Sequence, residues 1–252
     1  MFIPILGKIS IYAATVFAVA AAITYLLAWR GKDRLKIWGR RFFYLTAGSI
    51  SIAVVSLLQS ILAHNFAVSY VYNYSSTDLP LYYLISTFWA GQEGTYLLWI
   101  FYASILGLIL AKKSGKFESG NILFLCLFLL SVLLILIKRS PFTLLATAPT
   151  EGAGLNPLLQ NYWMTIHPLV MFVGFAATVM PFAFALTALI SKEFDSWTEF
   201  VFPWALLSFV SLGTALVMGG FWAYETLGWG GYWAWDPVEN SSLIPWIFSA
   251  GL

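Results

Sequence analysis

Six stretches of roughly 20 residues with almost no charge run through this chain, and they decide its solvent before anything else does. About 20 apolar residues in a helix cross the hydrocarbon core of a bilayer. A helix suits that solvent because it satisfies its own backbone donors and acceptors where water is absent. The runs fall at about 5–29, 42–63, 94–111, 121–137, 166–190 and 202–221. A seventh begins near Leu243 and meets the last residue, Leu252, after about half a bilayer of helix. The expectation is an all-α, polytopic transmembrane helix bundle of six complete spans plus a truncated seventh at 243–252, from a fragment or short form of something longer. With 60% hydrophobic and 10% charged residues and a mean hydropathy of +0.82, the composition excludes a soluble domain. The apolar core from Ile9 to Trp29 is too long for a cleavable signal peptide, and no small-residue cleavage site precedes the basic stretch after it.

The basic residues orient the bundle. Six lie within Arg30–Arg41, and Lys112, Lys113, Lys116 and Lys192 fall in the other two loops on that side, against only Lys8, Lys138 and Arg139 opposite. The positive-inside rule then puts 30–41, 112–120 and 191–201 in the cytoplasm. The N-terminus and the long segments 64–93, 138–165 and 222–242, rich in Gly, Pro, Trp and Tyr, face outward, where function is expected. The reading is thus a bundle over 1–221 with outer loops 64–93 and 138–165, and an outer-face tryptophan-rich segment at 222–246. A net charge of +2 with no basic stripe gives no reason to expect nucleic acid. One cysteine, Cys126, inside an apolar run excludes a disulfide, a dithiol redox pair and a cysteine metal cluster.

The densest signal is Phe221-Trp-Ala-Tyr-Glu-Thr-Leu-Gly-Trp-Gly-Gly-Tyr-Trp-Ala-Trp-Asp-Pro-Val-Glu-Asn240. Five of the twelve tryptophans (Trp222, Trp229, Trp233, Trp235 and Trp246) lie between 222 and 246. An interfacial aromatic belt explains one or two per helix end. Large rings interleaved with Gly228, Gly230 and Gly231 also suit a platform for a flat, polarisable ligand, and on composition both readings stand. Asp236-Pro-Val-Glu239 reads as a capping box before the seventh run: Asp at the N-cap, Pro at N1, Glu at N3. His167, followed by Pro168, reads as the residue before a helix N1 proline, at the outer surface, where the helix dipole disfavours its protonation. It is either a hydrogen-bonded loop histidine or, as a neutral imidazole, a ligand for a metal or haem iron. His64 reads as an interfacial histidine. Glu93, in Phe88-Trp-Ala-Gly-Gln-Glu-Gly94, favours a helix N-terminus. Lys138 and Arg139 read first as interface anchors, with pairing to a carboxylate as the alternative.

Trp229-Gly-Gly-Tyr-Trp-Ala-Trp-Asp-Pro-Val-Glu-Asn-Ser241, with Trp222-Ala-Tyr-Glu-Thr-Leu-Gly228 before it, resembles the WWD domain of haem-handling membrane proteins in cytochrome c maturation. Gly154-Leu-Asn-Pro-Leu-Leu-Gln-Asn-Tyr-Trp-Met-Thr-Ile-His-Pro168 and Trp89-Ala-Gly-Gln-Glu-Gly94 resemble the haem lyase branch of that family. The resemblance covers nearly the whole chain; Leu169 departs from the second proline that the branch often carries. It implies a haem-binding component of a haem lyase, in which His167 is an axial ligand of the haem iron. Trp222, Trp229, Trp233 and Trp235, with Gly230 and Gly231, would hold the haem plane. The implied partners are a haem chaperone, apocytochrome c and other maturation subunits. The family's downstream outer histidine and a membrane-embedded haem b ligand fall beyond Leu252, so a second chain is implied wherever the short form works alone. A haem or small-molecule transporter is the competing reading; the near absence of charge inside the runs argues against a polar pathway.

Overall fold

The structure, a computed structural model, describes residues 2–251; Met1, in the expected bundle range 1–221, and Leu252, the last residue of the expected seventh run, lie outside the described residues. The chain forms α1 (Phe2–Trp29), α2 (Lys36–Leu62), the short α3 (Ser69–Tyr74) and α4 (Leu81–Ser86), α5 (Gln92–Lys113), α6 (Glu118–Lys138), α7 (Tyr162–Ser191), α8 (Trp197–Thr226) and α9 (Pro237–Ala250). The six long helices α1, α2, α5, α6, α7 and α8 are each long and apolar enough to cross a membrane. This is a multi-pass, all-α membrane bundle, as the hydropathy requires. No strand forms among the described residues; an isolated antiparallel bridge between Val68 and Leu144 ties the first long loop to the second.

The helices overrun the apolar stretches at their ends, since interfacial residues continue a helix past the hydrocarbon. One overrun matters: α8 continues to Thr226, so Trp222 belongs to that helix, and the connecting loop shrinks from 222–242 to 227–236.

Because lipid is as apolar as a side chain, helices in a bilayer associate through close packing, and small residues let their backbones approach. Ala14, Ala18 and Ala21 of α1 are fully buried, while Val16, Val55 and Val217 are exposed on faces suited to lipid. Glycines sit where neighbours press in. A Cβ on Gly120 of α6 would meet Thr187 of α7 at 2.4 Å, and one on Gly174 of α7 would meet Leu212 of α8 at 2.7 Å. The bundle is arranged as α1 on α2 and α7 on α8, with α5 and α6 packed between the pairs.

The basic end carries a polar knot. Glu118, the first residue of α6, is 2% exposed. Its carboxylate accepts two bonds from Arg40, both at 2.6 Å, one from the Tyr25 hydroxyl at 3.2 Å, and pairs with Lys36 at 2.8 Å. A buried carboxylate is tolerated when its lone pairs are filled in this way. The knot ties α1, α2 and α6 together. Glu118→Ala leaves the partly exposed Lys36 and Arg40 facing each other without their acid and the buried Tyr25 hydroxyl without its acceptor, and should lower stability by about 2 kcal/mol, read as a fall of several degrees in the thermal midpoint of the detergent-solubilised protein. Arg40→Lys, which keeps the charge and loses the fork, should fall between the two.

Candidate functional site

The other end of the bundle, where α2 and α6 finish and α5, α7 and α9 begin, is aromatic. Its geometry starts from Asn161. The Asn161 side chain accepts the backbone N–H of Trp163 at 2.8 Å and so caps α7, which begins at Tyr162. The sequence reading of Pro168 as the first residue of this helix is therefore corrected: Pro168 lies inside α7, and His167 is well into its second turn. A proline in that place leaves one carbonyl without its helical donor, that of Met164, four residues back. The Trp89 indole Nε1 of the preceding segment fills the vacancy, donating to the Met164 carbonyl at 3.2 Å. The backbone polarity is satisfied by a partner 75 residues away, so the helix runs through the proline.

His167 is beyond the reach of the helix-end dipole, which falls off within the first turn. A hydrogen bond sets its chemistry instead. Nδ1 lies 2.9 Å from the Trp163 carbonyl oxygen. A carbonyl only accepts, so the neutral ring keeps its proton on Nδ1 and leaves the lone pair of Nε2 free. The ring stacks on Trp222 of α8, with centroids 5.7 Å apart and planes 30° from parallel. Opposite Nε2 stands Gly219; a Cβ there would be 3.6 Å from His167 Cδ2 and 3.9 Å from Nε2. The missing side chain keeps the nitrogen open to the adjoining space.

The α7–α8 joint is pinned beside this ring. Glu225, near the end of α8, accepts the Trp163 indole N–H at 3.0 Å and the Asn161 amide at 2.8 Å. Trp222 donates to the Leu158 carbonyl at 3.0 Å, and Phe221 stacks on Trp163 at 5.0 Å. The loop 227–236 folds back over α8. Tyr232 stacks on Tyr224 at 4.5 Å and its carbonyl approaches Gly220, where a Cβ would sit 3.1 Å away. Gly230 has a φ of +67° and open space around it, so it serves the turn and not a close approach. Asp236 accepts the Glu239 N–H at 2.8 Å and Pro237 opens α9, as the sequence predicts. The return half of the capping box is different: the Glu239 carboxylate reaches past the cap to the N–H of Ala234, at 2.5 Å, and so fastens the loop itself.

Between these elements lies a cavity of about 400 Å³, walled by Trp89 and Thr95 of the α5 entrance, Met164, His167 and Met171 of α7, Gly219 and Trp222 of α8, and Trp233, Glu239 and Ser242 around the start of α9. Of the residues singled out in the sequence, His167, Trp222 and Trp233 share this cavity. Trp229 and Trp235 do not line it; they stand 46% and 79% exposed on the loop, with Gly230 exposed and Gly231 half-buried beside them. Trp246 stacks on Phe209 lower down, at 5.4 Å. His64, in a left-handed conformation at φ +48°, packs near Phe66 and is not part of the cavity. Trp89, Met171 and the Gly219–Gly220 pair are wall residues that the sequence did not mark as such. The glycine pair next to Phe221-Trp222 is the one signal that pointed to them. Among the described residues no three His, Cys, Asp or Glu side chains converge as a metal site. One free imidazole nitrogen in an apolar, ring-lined space suits a flat ligand that brings its own metal better than it suits a bare ion.

A multi-pass membrane bundle with an aromatic cavity at one end, lined by a single imidazole, is the class of protein that the fold and its candidate site define. The chain belongs to the cytochrome c assembly protein family, whose match covers residues 89–252. It is 36% identical to the cytochrome c-type biogenesis protein CcmF of Pseudomonas fluorescens, over 100% of this chain and 39% of that protein. It is 35% identical to CcmF of Escherichia coli K12, over 88% of this chain and 36% of the relative. The biogenesis protein NrfE of Haemophilus influenzae is 33% identical, over 85% and 34% of the two chains. The solved structure of a cytochrome c haem lyase CcmF superposes with a TM-score of 0.86 at 30% identity, covering 99% of this chain and 41% of that one. The chain thus spans about two fifths of the length of the relatives it matches.

The open Nε2 is directly testable. Diethylpyrocarbonate should modify His167 in the native protein. Gly219→Ala, whose Cβ makes only ordinary contact, should leave that reaction nearly unchanged, whereas Gly219→Leu should cover the nitrogen and slow it at least about tenfold by peptide mass mapping.

Proposed function

We propose that this chain acts in cytochrome c-type biogenesis as a haem-binding component of a haem lyase. It would hold haem at the outer, periplasmic face of the inner membrane and offer it for covalent attachment to apocytochrome c. The observation that carries this reading is the His167 imidazole, with Nδ1 held by a carbonyl and Nε2 free on the wall of a ring-lined cavity. The residues fit the group: a neutral nitrogen donor for iron, Trp222 and Trp233 as flat walls, and a volume within the range of small-molecule sites. The names of the relatives, biogenesis proteins and a haem lyase, support the same chemistry.

In this reading His167 would hold the haem iron through Nε2, and the Trp163 carbonyl fixes its tautomer, as the outer shell of a metal ligand generally does. Trp222 and Trp233 would hold the ligand's plane, and Met164, Met171 and Trp89 would exclude water. Bound haem would supply two vinyl groups, each able to take up one substrate thiol across its C=C bond without net oxidation. The chain provides position, not nucleophiles: Cys126 is buried within α6, far along the sequence from the cavity. Trp229, Trp235 and Gly230, with the half-buried Gly231 beside them, belong to the outer edge of the platform, the surface available to partners. A haem chaperone, apocytochrome c and the other maturation subunits are the partners this role needs.

The test is His167→Ala in cells that make c-type cytochromes, with absorption spectra of the purified protein. The native chain supplied with haem should show a Soret band. His167→Ala should lose it or shift it, weaken haem retention at least about tenfold, and lower cytochrome c yield in parallel. Normal haem content and normal yield in His167→Ala would overturn the assignment.

A further inference from the structure

We infer that the cavity takes its planar ligand in one orientation, with the ligand's carboxylates seated at Arg139 and Gln92 on the α5–α6 side and its apolar edge turned to the loop 227–236. This rests on the haem reading above and adds what that reading leaves open, namely which edge of the molecule faces which wall.

The charges around the mouth are segregated. Its acids lie with α8 and α9, where Glu239 forms part of the cavity wall and Asp236 and Glu225 stand close by in the chain. Each is already engaged: Glu239 by the Ala234 N–H, Asp236 by the Glu239 N–H, Glu225 by Trp163 and Asn161. An anionic group placed there meets like charge and finds those donors occupied. The cations of this end are on the other side. Arg139 closes α6, and its Nη1 donates to Gln92 Oε1 at 3.4 Å. Gln92 is the first residue of α5, one helical turn from Thr95, which lines the cavity and donates its hydroxyl to the Gln92 carbonyl at 2.9 Å. Gln92 therefore adjoins the Thr95 wall through its carbonyl, with the guanidinium of Arg139 bonded to its side chain. Glu93, the next residue, points about 100° further round the helix.

Among the described residues Arg139 and Lys138 enter no ion pair, although both are exposed and lie against the general charge bias of the chain. A guanidinium carries five N–H donors in a planar fork that matches a carboxylate. One is given to Gln92, which leaves the others for a carboxylate. Together with the Gln92 amide they make a neutralising, directional seat beside Thr95, on the wall of a cavity whose own charged lining residue is Glu239. A ligand anchored there presents its opposite, uncharged edge to Trp233 and the exposed Trp229 and Trp235, the side on which a partner polypeptide has access.

The experiment titrates haem and haem dimethyl ester, whose two carboxylates are masked, into the detergent-solubilised native chain, Arg139→Gln and Arg139→Lys, following the Soret band. Arg139 is exposed at a helix end, so the variants should fold, with helical circular dichroism as the check. Arg139→Gln should weaken haem about tenfold and leave the ester unchanged, while Arg139→Lys falls between. Equal loss for haem and ester, or no loss for either, overturns the inference while the haem reading stands. Failure of the native chain to bind either form removes both.

Discussion

A single carboxylate at the end of α8 sets the geometry on which the site depends. Glu225 takes one donor from Trp163 and another from Asn161, so it holds the first turn of α7 in both rotation and height against α8. The Asn161 cap starts the helix there, and the turn that follows carries His167 onto Trp222 and opposite Gly219. Charge-assisted bonds of this kind near solvent are worth modest energy. Their value lies in direction: two donors from residues two apart leave the imidazole little freedom to turn away from the cavity.

The bundle is pinned differently at its two ends. At the basic end one buried acid collects Arg40, Lys36 and Tyr25 and joins three helices through charge. At the aromatic end the joints are indole N–H groups given to carbonyls and a carboxylate, with ring stacking over them. Between the ends the contacts are apolar, with small alanines and glycines set among leucine, isoleucine and phenylalanine. That division suits a protein whose basic end needs only rigidity and whose aromatic end must hold rings around an apolar space without filling it.

The six long helices were legible because hydropathy accumulates along the chain and needs no tertiary information, whereas the short α3 and α4, inside the loop expected at 64–93, were not. The Asp236 cap was legible for a related reason, since donor and acceptor are three residues apart. The start of α7 was not. A local rule placed Pro168 at the helix entrance, and the competing Asn161 cap prevails because Trp89 of another segment satisfies the carbonyl that the proline abandons. The tryptophan cluster was seen as one platform, yet adjacency in sequence is not adjacency in space. The loop turns at Gly230, sending Trp233 inward and leaving Trp229 and Trp235 outside. The rest of the cavity wall comes from four separate segments, and no short motif records their meeting. Glu118 was hidden for the same reason, its two cations lying about 80 residues upstream.

The bond between Trp89 and the Met164 carbonyl exists only because position 168 has no N–H to offer. Any other residue at 168 would restore the helical donor and compete with the indole for that oxygen. Loss of the indole, in turn, would leave the proline with an orphaned carbonyl facing an apolar space. The bond needs both residues, although they stand on different helical segments and far apart in the chain. The two positions act as one structural unit written in two places, and a change at Pro168 is expected to loosen the tie that seats Trp89.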